Sequence, residues 1–436
     1  MVKPKIYSGS VLVLGLVQLI ETIAMSIPLS YYPNYIIGLG ASVASVGFFT
    51  SSFMLTSAIM SPRLGGLSDK HGRKKIIIIG LIGDVIFGIL TGLVPSWYWL
   101  LLVRIINGAV SSAAMVGAEA LLMDSVSPHQ RGEASGFVMS MGMVGRNIGP
   151  LFGGTIQSIS YSQGLDLLDS YRVPYFVDSA MAILALLLVL WKIQDIRVDN
   201  HLTKGIQSES SSDVAKVPIS FSFKVLLTCT FVNGMGVGFL VPIMALFYND
   251  KFGIEPIEIG LILSISGFVG LLASWAAGRI SDRAGRKPLI AAGGLLSRFS
   301  GFALPLTGDV TQAAAVLSAR SLGFNVSMPA LRALRADLSP AEARGRFFGM
   351  YRTAFDIGDI LGPILGTYLY DLHRFRNFEL GGLMLPGYGI PFFVNSILGM
   401  VTTIMMLVLV KETVFRDTSI DREKSTDRSK GNQSIE

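Results

Sequence analysis

Ionisable side chains interrupt several long apolar runs of this sequence, and Glu21 is the most isolated of them. It lies in the middle of the apolar run near residues 8–34, with no Arg or Lys within one or two helical turns. A carboxylate that is removed from water and has no partner can take up and release a proton near neutral pH. Glu21 is therefore the first candidate for proton coupling or for binding a cationic group. A Glu satisfied by hydrogen bonds in the core is the alternative.

Nine more ionisable residues lie within apolar runs, and together with Glu21 their charges balance, with five acids and five bases. At the centre of a bilayer each one costs about 2.5–3.5 kcal/mol unless it faces a cavity or a partner. The sequence therefore favours internal pairing for most of them. Arg352, Asp356 and Asp359 stand four and three residues apart, which places them on one helix face. The others are Asp84, Asp178, Arg104, Arg146, Arg298 and Arg320.

The residues that enzymes and ATP-driven pumps use for catalysis are not arranged for it. The chain has four His, none of them at metal-ligand spacing, and it has no nucleophile elbow. It also lacks a phosphate-binding glycine loop ending in Lys-Ser or Lys-Thr, which an ATP-driven pump requires. We therefore expect no catalytic residue, no metal site and no cofactor.

The elements that carry the ionisable residues have the length and composition of membrane spans. Hydrophobic residues make up 51% of the chain and charged residues 15%, and the mean hydropathy is +0.55, outside the ordinary soluble range. Twelve apolar segments approach the length of about 20 residues that a bilayer core requires. They are continuous runs and not short alternating strands, so we predict helices and exclude a barrel. The segments lie near residues 8–34, 41–62, 76–95, 98–123, 133–158, 173–192, 221–248, 256–278, 288–306, 311–336, 346–370 and 387–410.

Lys and Arg are concentrated in every second loop between these segments. Residues 70–75 and 283–287 are strongly basic, whereas the alternate loops together hold four Lys or Arg residues. Because cytoplasmic loops carry the excess of positive charge, we predict that both termini are cytoplasmic in a multi-pass protein of the plasma membrane. The same distribution accounts for the net charge of +6 without a nucleic-acid partner.

An internal repeat with a shift of 213 residues divides the chain into two halves. Equal orientation of the two halves indicates parallel repeats related by an axis along the membrane normal. We predict an N-terminal six-helix bundle at 1–192, a cytoplasmic linker at 193–220, a C-terminal bundle at 221–411 and a disordered cytoplasmic tail at 412–436. The repeated loop residues are Gly65, Asp69, Gly72 and Arg73, which recur as Gly278, Asp282, Gly285 and Arg286; likewise Asp124 recurs as Asp337.

The loop from Gly65 to Lys74, with the sequence GGLSDKHGRK, resembles the signature of the major facilitator superfamily between its second and third helices. In that family the loop contacts the opposite half and keeps one conformation closed on the cytoplasmic side. The resemblance therefore implies a gating role for both copies of the loop. An Asp that is paired with Arg or lies near a helix N-terminus contributes about 0.3–2 kcal/mol, enough to bias a two-state equilibrium.

The fifth segment resembles the exporter motif of the drug:proton antiporter branch of this superfamily. Glycines at such spacings form a flat helix face, and the proline removes a backbone hydrogen bond and kinks the helix. Because both halves carry the pattern, hinge architecture explains it as well as export does. The positions are Gly136, Gly145, Gly149, Pro150, Gly153 and Gly154, repeated as Gly349, Gly358, Gly362, Pro363 and Gly366, with a departure at Thr367.

The fourth segment carries Arg104 and Gly108, which resemble the family's Arg-x-x-x-Gly, with Asn107 where the family has Gln. Arg320 and Asn325 lie in the tenth segment. In the family the fourth helix lines a central cavity, and its Arg is linked to proton movement. The resemblance thus implies an all-α membrane protein with twelve transmembrane helices in two pseudo-symmetric six-helix bundles.

Proton-coupled export of an amphipathic, cationic small molecule by a monomer, through alternating access, is the function that these features favour. The alternative is proton-coupled uptake or exchange of an organic anion or a sugar-like metabolite, with Arg104 and Arg320 holding a carboxylate or phosphate. A membrane receptor without transport activity is a third class, which the repeated loop and the buried charges disfavour.

Overall fold

The computed structural model describes residues 9–193, 219–340 and 343–410 of the 436-residue chain. Most of the predicted linker at 193–220 and the whole of the predicted tail at 412–436 lie outside these ranges. Within them the chain forms thirteen α-helices and one β-hairpin. The helices are α1 (Gly9–Ser26), α2 (Tyr32–Gly38), α3 (Val46–His71), α4 (Arg73–Leu93), α5 (Trp97–Ser125), α6 (Arg131–Ser162), α7 (Leu167–Lys192), α8 (Phe221–Phe252), α9 (Pro256–Ala284), α10 (Arg286–Ala303), α11 (Val310–Asp337), α12 (Arg344–His373) and α13 (Ile390–Leu409); the strands are β1 (Asn377–Leu380) and β2 (Leu383–Pro386).

The long helices correspond to the predicted spans. Among the described residues, nine helical segments are long and apolar enough to cross a membrane. The remaining three long helices, α6, α11 and α12, are richer in glycine and polar residues, which lowers their hydropathy. Their glycines pack against neighbouring helices, as membrane helices do where small residues allow close approach.

The sequence predicts one continuous helix for the first span. In the structure the helix breaks after Ser26. A 3₁₀ turn at Ile27–Ser30 contains Pro28, and α2 starts at Tyr32. Proline has no backbone N–H to donate to the preceding turn, which explains the break at this point. The break brings the rings of Tyr31 and Tyr171 into a stacked contact, with 5.6 Å between their centroids.

The two repeated loops are tighter than the sequence suggests. Helix α3 continues to His71, so Gly65 lies inside the helix and not in a loop. Gly72 alone separates α3 from α4, and its φ of 100° is one that glycine adopts without strain. Gly285 separates α9 from α10 with a φ of 92°. Both turns therefore depend on a glycine.

A short hairpin between α12 and α13 departs from the predicted all-α class. Strands β1 and β2 pair antiparallel, with Leu380 opposite Leu383. Gly381 and Gly382 form the turn, and both have positive φ, as a two-residue hairpin turn of the primed type requires. Two adjacent glycines between short apolar strands are the local signal for this hairpin.

Small residues of the glycine and proline pattern pack equivalent helices in both halves. Gly145 and Gly149 of α6 face the backbone of α1, Gly153 faces the 3₁₀ turn that follows α1, and Gly358, Gly362 and Gly366 of α12 face the backbone of α8. A Cβ at any of these positions would collide with a carbonyl oxygen of the neighbouring helix. Gly136 and Gly349 have open space around them, and α6 and α12 continue as helices past Pro150 and Pro363.

The two basic loops lie at the same end of the molecule, which we call the basic end. Helices α3 and α5 run parallel, and α6 and α9 run antiparallel across the two halves. Since a short connection joins α5 to α6, residue positions 69 and 282 fall on the same side. The neighbouring positions that establish these directions are Phe53 with Gly108, Gly65 with Val116, Gly154 with Pro256, and Asn147 with Gly267.

The halves are joined at the opposite end, which we call the closed end. The Ala44 N–H donates to Oδ2 of Asp371 at 3.2 Å, and the Ser51 hydroxyl donates to the Ile360 carbonyl at 2.5 Å. The Gly47 N–H donates to the Thr367 hydroxyl at 3.2 Å. The structure therefore represents a state that is closed on the side remote from the basic loops.

Candidate functional site

The N-terminal half encloses a cavity of about 290 Å³ between α1, α3, α4, α5 and α7. From the described part of the C-terminal half, only Val241 and Pro242 line it. The volume is close to the lower limit for small-molecule sites. The cavity thus belongs mainly to one half, whereas the resemblance implied a cavity between the halves.

Three carboxylates from three helices enter this cavity: Glu21 from α1, Asp84 from α4 and Asp178 from α7. The charges of Asp84 and Asp178 both act on Glu21. Oε1 of Glu21 is buried and has no hydrogen-bond partner in the described part of the chain. The sequence predicts a lone carboxylate at Glu21. This prediction is wrong, because helix packing places two further acids beside it.

The side chain of Arg104 also lines this cavity. Its Cζ lies 4.7 Å from the ring centroid of Tyr32, and its Nε is buried without a hydrogen-bond partner. Within the described residues no salt bridge joins Arg104 to the acids, although its charge acts on Asp178. Asn107 also lines the cavity, and its Oδ1 has no hydrogen-bond partner.

Tyrosine side chains contribute polar groups that sequence reasoning did not assign to a site. Tyr32 and Tyr175 line the cavity, and neither buried hydroxyl has a partner of full hydrogen-bond geometry among the described residues. The Tyr32 hydroxyl is near Arg104, and the Tyr175 hydroxyl is near Tyr31. Tyr31 holds Tyr175 through an edge contact, with 6.0 Å between the ring centroids. Apolar walls with a few unpartnered polar groups are typical of sites that bind amphipathic molecules. Pro28, which breaks the first span beside Tyr32, is the sequence signal that could have indicated this arrangement.

Arg320 and Asn325 are not among the described residues that line the cavity. The Asn325 amide donates to the Ser321 carbonyl at 2.9 Å, within its own helix. Since Arg104 lies in the cavity and Arg320 does not, the predicted pair of arginines around one anion is not formed in this structure.

Most of the ten charges that the sequence predicts to be buried and paired do not pair, and two of them, Arg146 and Arg352, are exposed in the structure. Among the described residues, the one salt bridge between two of them joins Arg352 Nε to Asp356 Oδ2 at 3.0 Å. Asp359 interacts electrostatically with Arg146, its repeat equivalent, but its Oδ1 has no hydrogen-bond partner. Arg298 and Arg320 lie on α10 and α11 of the C-terminal half, away from Glu21, Asp84 and Asp178 on helices of the N-terminal half.

The repeated loops form ion pairs inside their own halves. Arg73 bonds the carboxylate of Asp69 and also that of Asp124, whose Oδ2 lies 3.0 Å from its Nε. The repeat equivalent joins Arg286 to Asp337 at 3.5 Å. Asp124 and Asp337 occupy equivalent positions of the repeat. This equivalence is the sequence signal for their role as ion-pair partners of the two arginines. The side chain of Asp282 lies outside the described part, and the gating role of both loops stays a prediction.

The family model described as Major Facilitator Superfamily matches residues 14–224 and 226–434. The chain belongs to the major facilitator superfamily. It is therefore a transporter and not an enzyme, as predicted. Each half of the chain matches the model once, in agreement with the internal repeat.

Relatives of this superfamily member include named resistance proteins. Multidrug resistance protein 2 of Bacillus subtilis is 26% identical over 367 residues, which are 82% of this chain and 88% of the relative. Multidrug resistance protein MdtG of Enterobacter lignolyticus is 25% identical over 81% of this chain and 84% of the relative. Quinolone resistance protein NorA of Staphylococcus aureus is 25% identical over 78% and 84%.

Solved transporter structures share the fold. A bacterial homologue of the human lysosomal transporter Spinster, in an inward-facing and unoccupied conformation, gives a TM-score of 0.74 at 18% identity over 93% of this chain and 97% of that chain. The xylose transporter XylE of E. coli, in an inward-open conformation, gives 0.68 at 16% identity over 93% and 97%. The predicted fold of two six-helix bundles is thus confirmed.

Proposed function

We propose that this transporter exports amphipathic, cationic small molecules from the cell in exchange for protons, through the cavity of its N-terminal half. The convergence of Glu21, Asp84 and Asp178 in one cavity, which Arg104 also lines, is the observation that carries the proposal. Ionised acids there outnumber Arg104, and a low-dielectric cleft lined by negative groups concentrates cations. Aromatic rings such as Tyr32 add cation–π attraction. The names of the resistance relatives support export as the direction.

Exchange follows if the cation and protons compete for the same carboxylates. Three negative charges in one apolar cavity repel each other, so full ionisation is unfavourable unless a cation is bound. Binding of the cation therefore releases protons, and protons arriving from the other side displace the cation. The net direction is set by the proton gradient, since each ligand shifts the protein by its different affinity for the two states.

Arg104 is suited to stabilise the site when no substrate is bound. Its guanidinium lies against Tyr32 and acts on Asp178 without a salt bridge. The Arg104 guanidinium can move towards Asp178 when the substrate leaves and away from Asp178 when a cation binds. Asn107 is one turn away on the same helix and can hydrogen-bond the substrate through its amide.

We also infer that the protein is a monomer with both termini in the cytoplasm. The alternation of basic loops supports this orientation through the positive-inside rule. The closed end is then extracellular, and the structure corresponds to an inward-facing state. The likeness to inward-facing transporters supports this assignment.

Proteoliposomes with an imposed pH gradient and a fluorescent lipophilic cation test the proposal. We expect gradient-driven accumulation, and we expect Glu21→Gln to reduce it by about tenfold or more, within the range of coupling between linked sites. Glu379→Gln is the matched control, because this Glu is exposed on the hairpin.

Gradient-dependent transport that is unaltered in Glu21→Gln would reject the proposed coupling. Transport of organic anions that is lost in Arg104→Ala and retained in Glu21→Gln would favour the alternative substrate class. Absence of any flux over a broad substrate screen would favour a receptor.

A further inference from the structure

Two arginines of the C-terminal half are buried without a carboxylate. Arg298 of α10 and Arg320 of α11 form no salt bridge with any described residue, and their positive charges repel each other. The intramembrane acids of α12 are engaged elsewhere, since Asp356 pairs with Arg352 and Asp359 interacts with Arg146. A guanidinium stays charged at every physiological pH, so this pair requires a counter-ion.

The Arg298 side chain is fixed in place by two neighbouring helices. Its Nη2 donates to Oδ1 of Asn233 on α8 at 2.5 Å. On the other side the guanidinium lies against Gly399 of α13, where any Cβ would collide with it. The Nε of Arg298, which faces Gly399, is buried and has no hydrogen-bond partner among the described residues. The arginine is thus held firmly while part of its donor capacity is unused.

A small cavity of about 20 Å³ adjoins Arg298 between α8, α10, α11 and α13. This volume is enough for one water-sized particle. Asn233 and Ser297 line the cavity, and within the described residues neither the Asn233 Nδ2 nor the buried Ser297 hydroxyl donates a hydrogen bond. No carboxylate is among the described residues that line it. Arg298, Asn233 and Ser297 thus offer donors at this cavity, and none of its described lining residues carries a negative charge.

We propose that this cavity binds a single small inorganic anion, chloride under physiological conditions, as the counter-ion of Arg298, the arginine that lines it; its negative charge also offsets the repulsion from Arg320. The volume is too small for a carboxylic acid or a phosphate substrate. A water molecule fits but leaves both guanidinium charges uncompensated at membrane depth, where an unpaired charge is costly. The remaining walls include Phe324 and Leu331, so the anion is held in a dry environment that strengthens its hydrogen bonds.

This site is separate from the cavity of the N-terminal half and does not depend on the proposed export. Its effect is on the stability of the C-terminal half, because the anion joins α10 to α8 and relieves the repulsion between the arginines. Binding to the folded state alone raises the unfolding temperature with ligand concentration.

Thermal unfolding of the full chain in detergent tests the proposal, with chloride replaced by gluconate at constant sodium and ionic strength. We expect the unfolding temperature to rise with chloride and to saturate. In Arg298→Gln the concentration of chloride for half the effect should rise by about tenfold or more, because a charge-assisted hydrogen bond is lost. Arg352→Gln is the matched control, since that arginine is exposed and pairs with Asp356, and it should keep the wild-type response.

An unfolding temperature of the wild type that does not depend on chloride overturns the proposal, and so does an unchanged chloride response in Arg298→Gln. If Arg298→Gln does not fold, crystals of the wild type grown in bromide decide the question. An anomalous scattering peak beside Arg298 supports the site, and its absence refutes it.

Discussion

Asp178 reaches the cavity because its neighbour Ser179 packs against Gly88 of α4. A Cβ at residue 88 would collide with the Ser179 hydroxyl and would lie 3.4 Å from Oδ2 of Asp178. Glycine at this position lets α4 and α7 approach until the charges of Asp84 and Asp178 act on each other. The two acids and Glu21 are therefore expected to exchange protons as one unit.

Asp178→Asn is expected to reduce gradient-driven uptake of the cation by about tenfold, the scale of coupling between linked sites. The amide keeps the shape of the side chain but cannot ionise. Because the acids act as a unit, adding Asp84→Asn should reduce uptake by less than the product of the two single effects. Initial uptake rates and proton release, measured with a pH-sensitive dye, check both points. Independent effects of the two substitutions would show that the acids function separately.

The sequence identified part of this site, and the limits have a physical cause. Glu21, Arg104 and Asn107 were chosen from their positions in spans one and four, and all three lie in the cavity. For Asp178 the sequence predicts only a charge within a membrane span, since its approach to Glu21 depends on packing between distant helices. Arg320 is predicted to line the cavity by analogy with Arg104 in the other half. The repeat keeps the helices equivalent, but the residues packed around Arg320 differ from those around Arg104.

Helix α6 packs on α1 so closely that backbone touches backbone. The carbonyl oxygen of Ile27 occupies the position that a Cβ of Gly153 would need. This contact is next to the break at Pro28, so it also fixes the geometry that directs Tyr32 into the cavity. The glycine pattern thus supports the site as well as the bundle, and its role as a hinge stays a prediction.

Gly153→Leu is expected to destabilise the fold by about 1–3 kcal/mol or more, as overpacking does. Gly136→Leu, on the same helix, has no atom within 4 Å of its Cβ and should leave the unfolding temperature nearly unchanged. Thermal unfolding of both variants in detergent measures the difference. Equal unfolding temperatures would mean that α1 and α6 can separate without cost.

Hydropathy and charge were sufficient to predict the long helices, because membrane spans require long apolar runs. They were not sufficient to predict how the spans end. Helix α3 continues through the predicted loop to Gly72, since polar residues continue a helix readily until a residue with positive φ ends it. The hairpin at 377–386 is too short to be marked by hydropathy.

Asp371 and Thr367 of α12 hold the start of α3 at the closed end. The carboxylate of Asp371 accepts the Ala44 N–H, and this N–H belongs to the 3₁₀ turn that precedes α3. A negative group near a helix N-terminus stabilises it through the helix dipole. The contact crosses between the halves, so it favours the state that is closed at this end.

Asp371→Asn should therefore shift the equilibrium towards the state open at this end. Loss of a charge near a helix N-terminus corresponds to about 0.3–1 kcal/mol, or a change of about two- to fivefold in the population ratio. Distances between spin labels at residues 96 and 308, both in loops of the closed end, measure the shift. Asp166→Asn, an exposed loop residue at the same end, is the control. A distance distribution identical to that of the wild type would show that the contact does not bias the equilibrium.

The cavity has one further consequence because it belongs almost entirely to one half. A compound that fits within it moves together with the N-terminal half when that half tilts. A longer compound would project past Val241 and Pro242 into the path of the other half. The length of a compound would then decide whether it is transported or inhibits transport. Inhibitors could be made by extending a transported molecule at the end that faces these two residues.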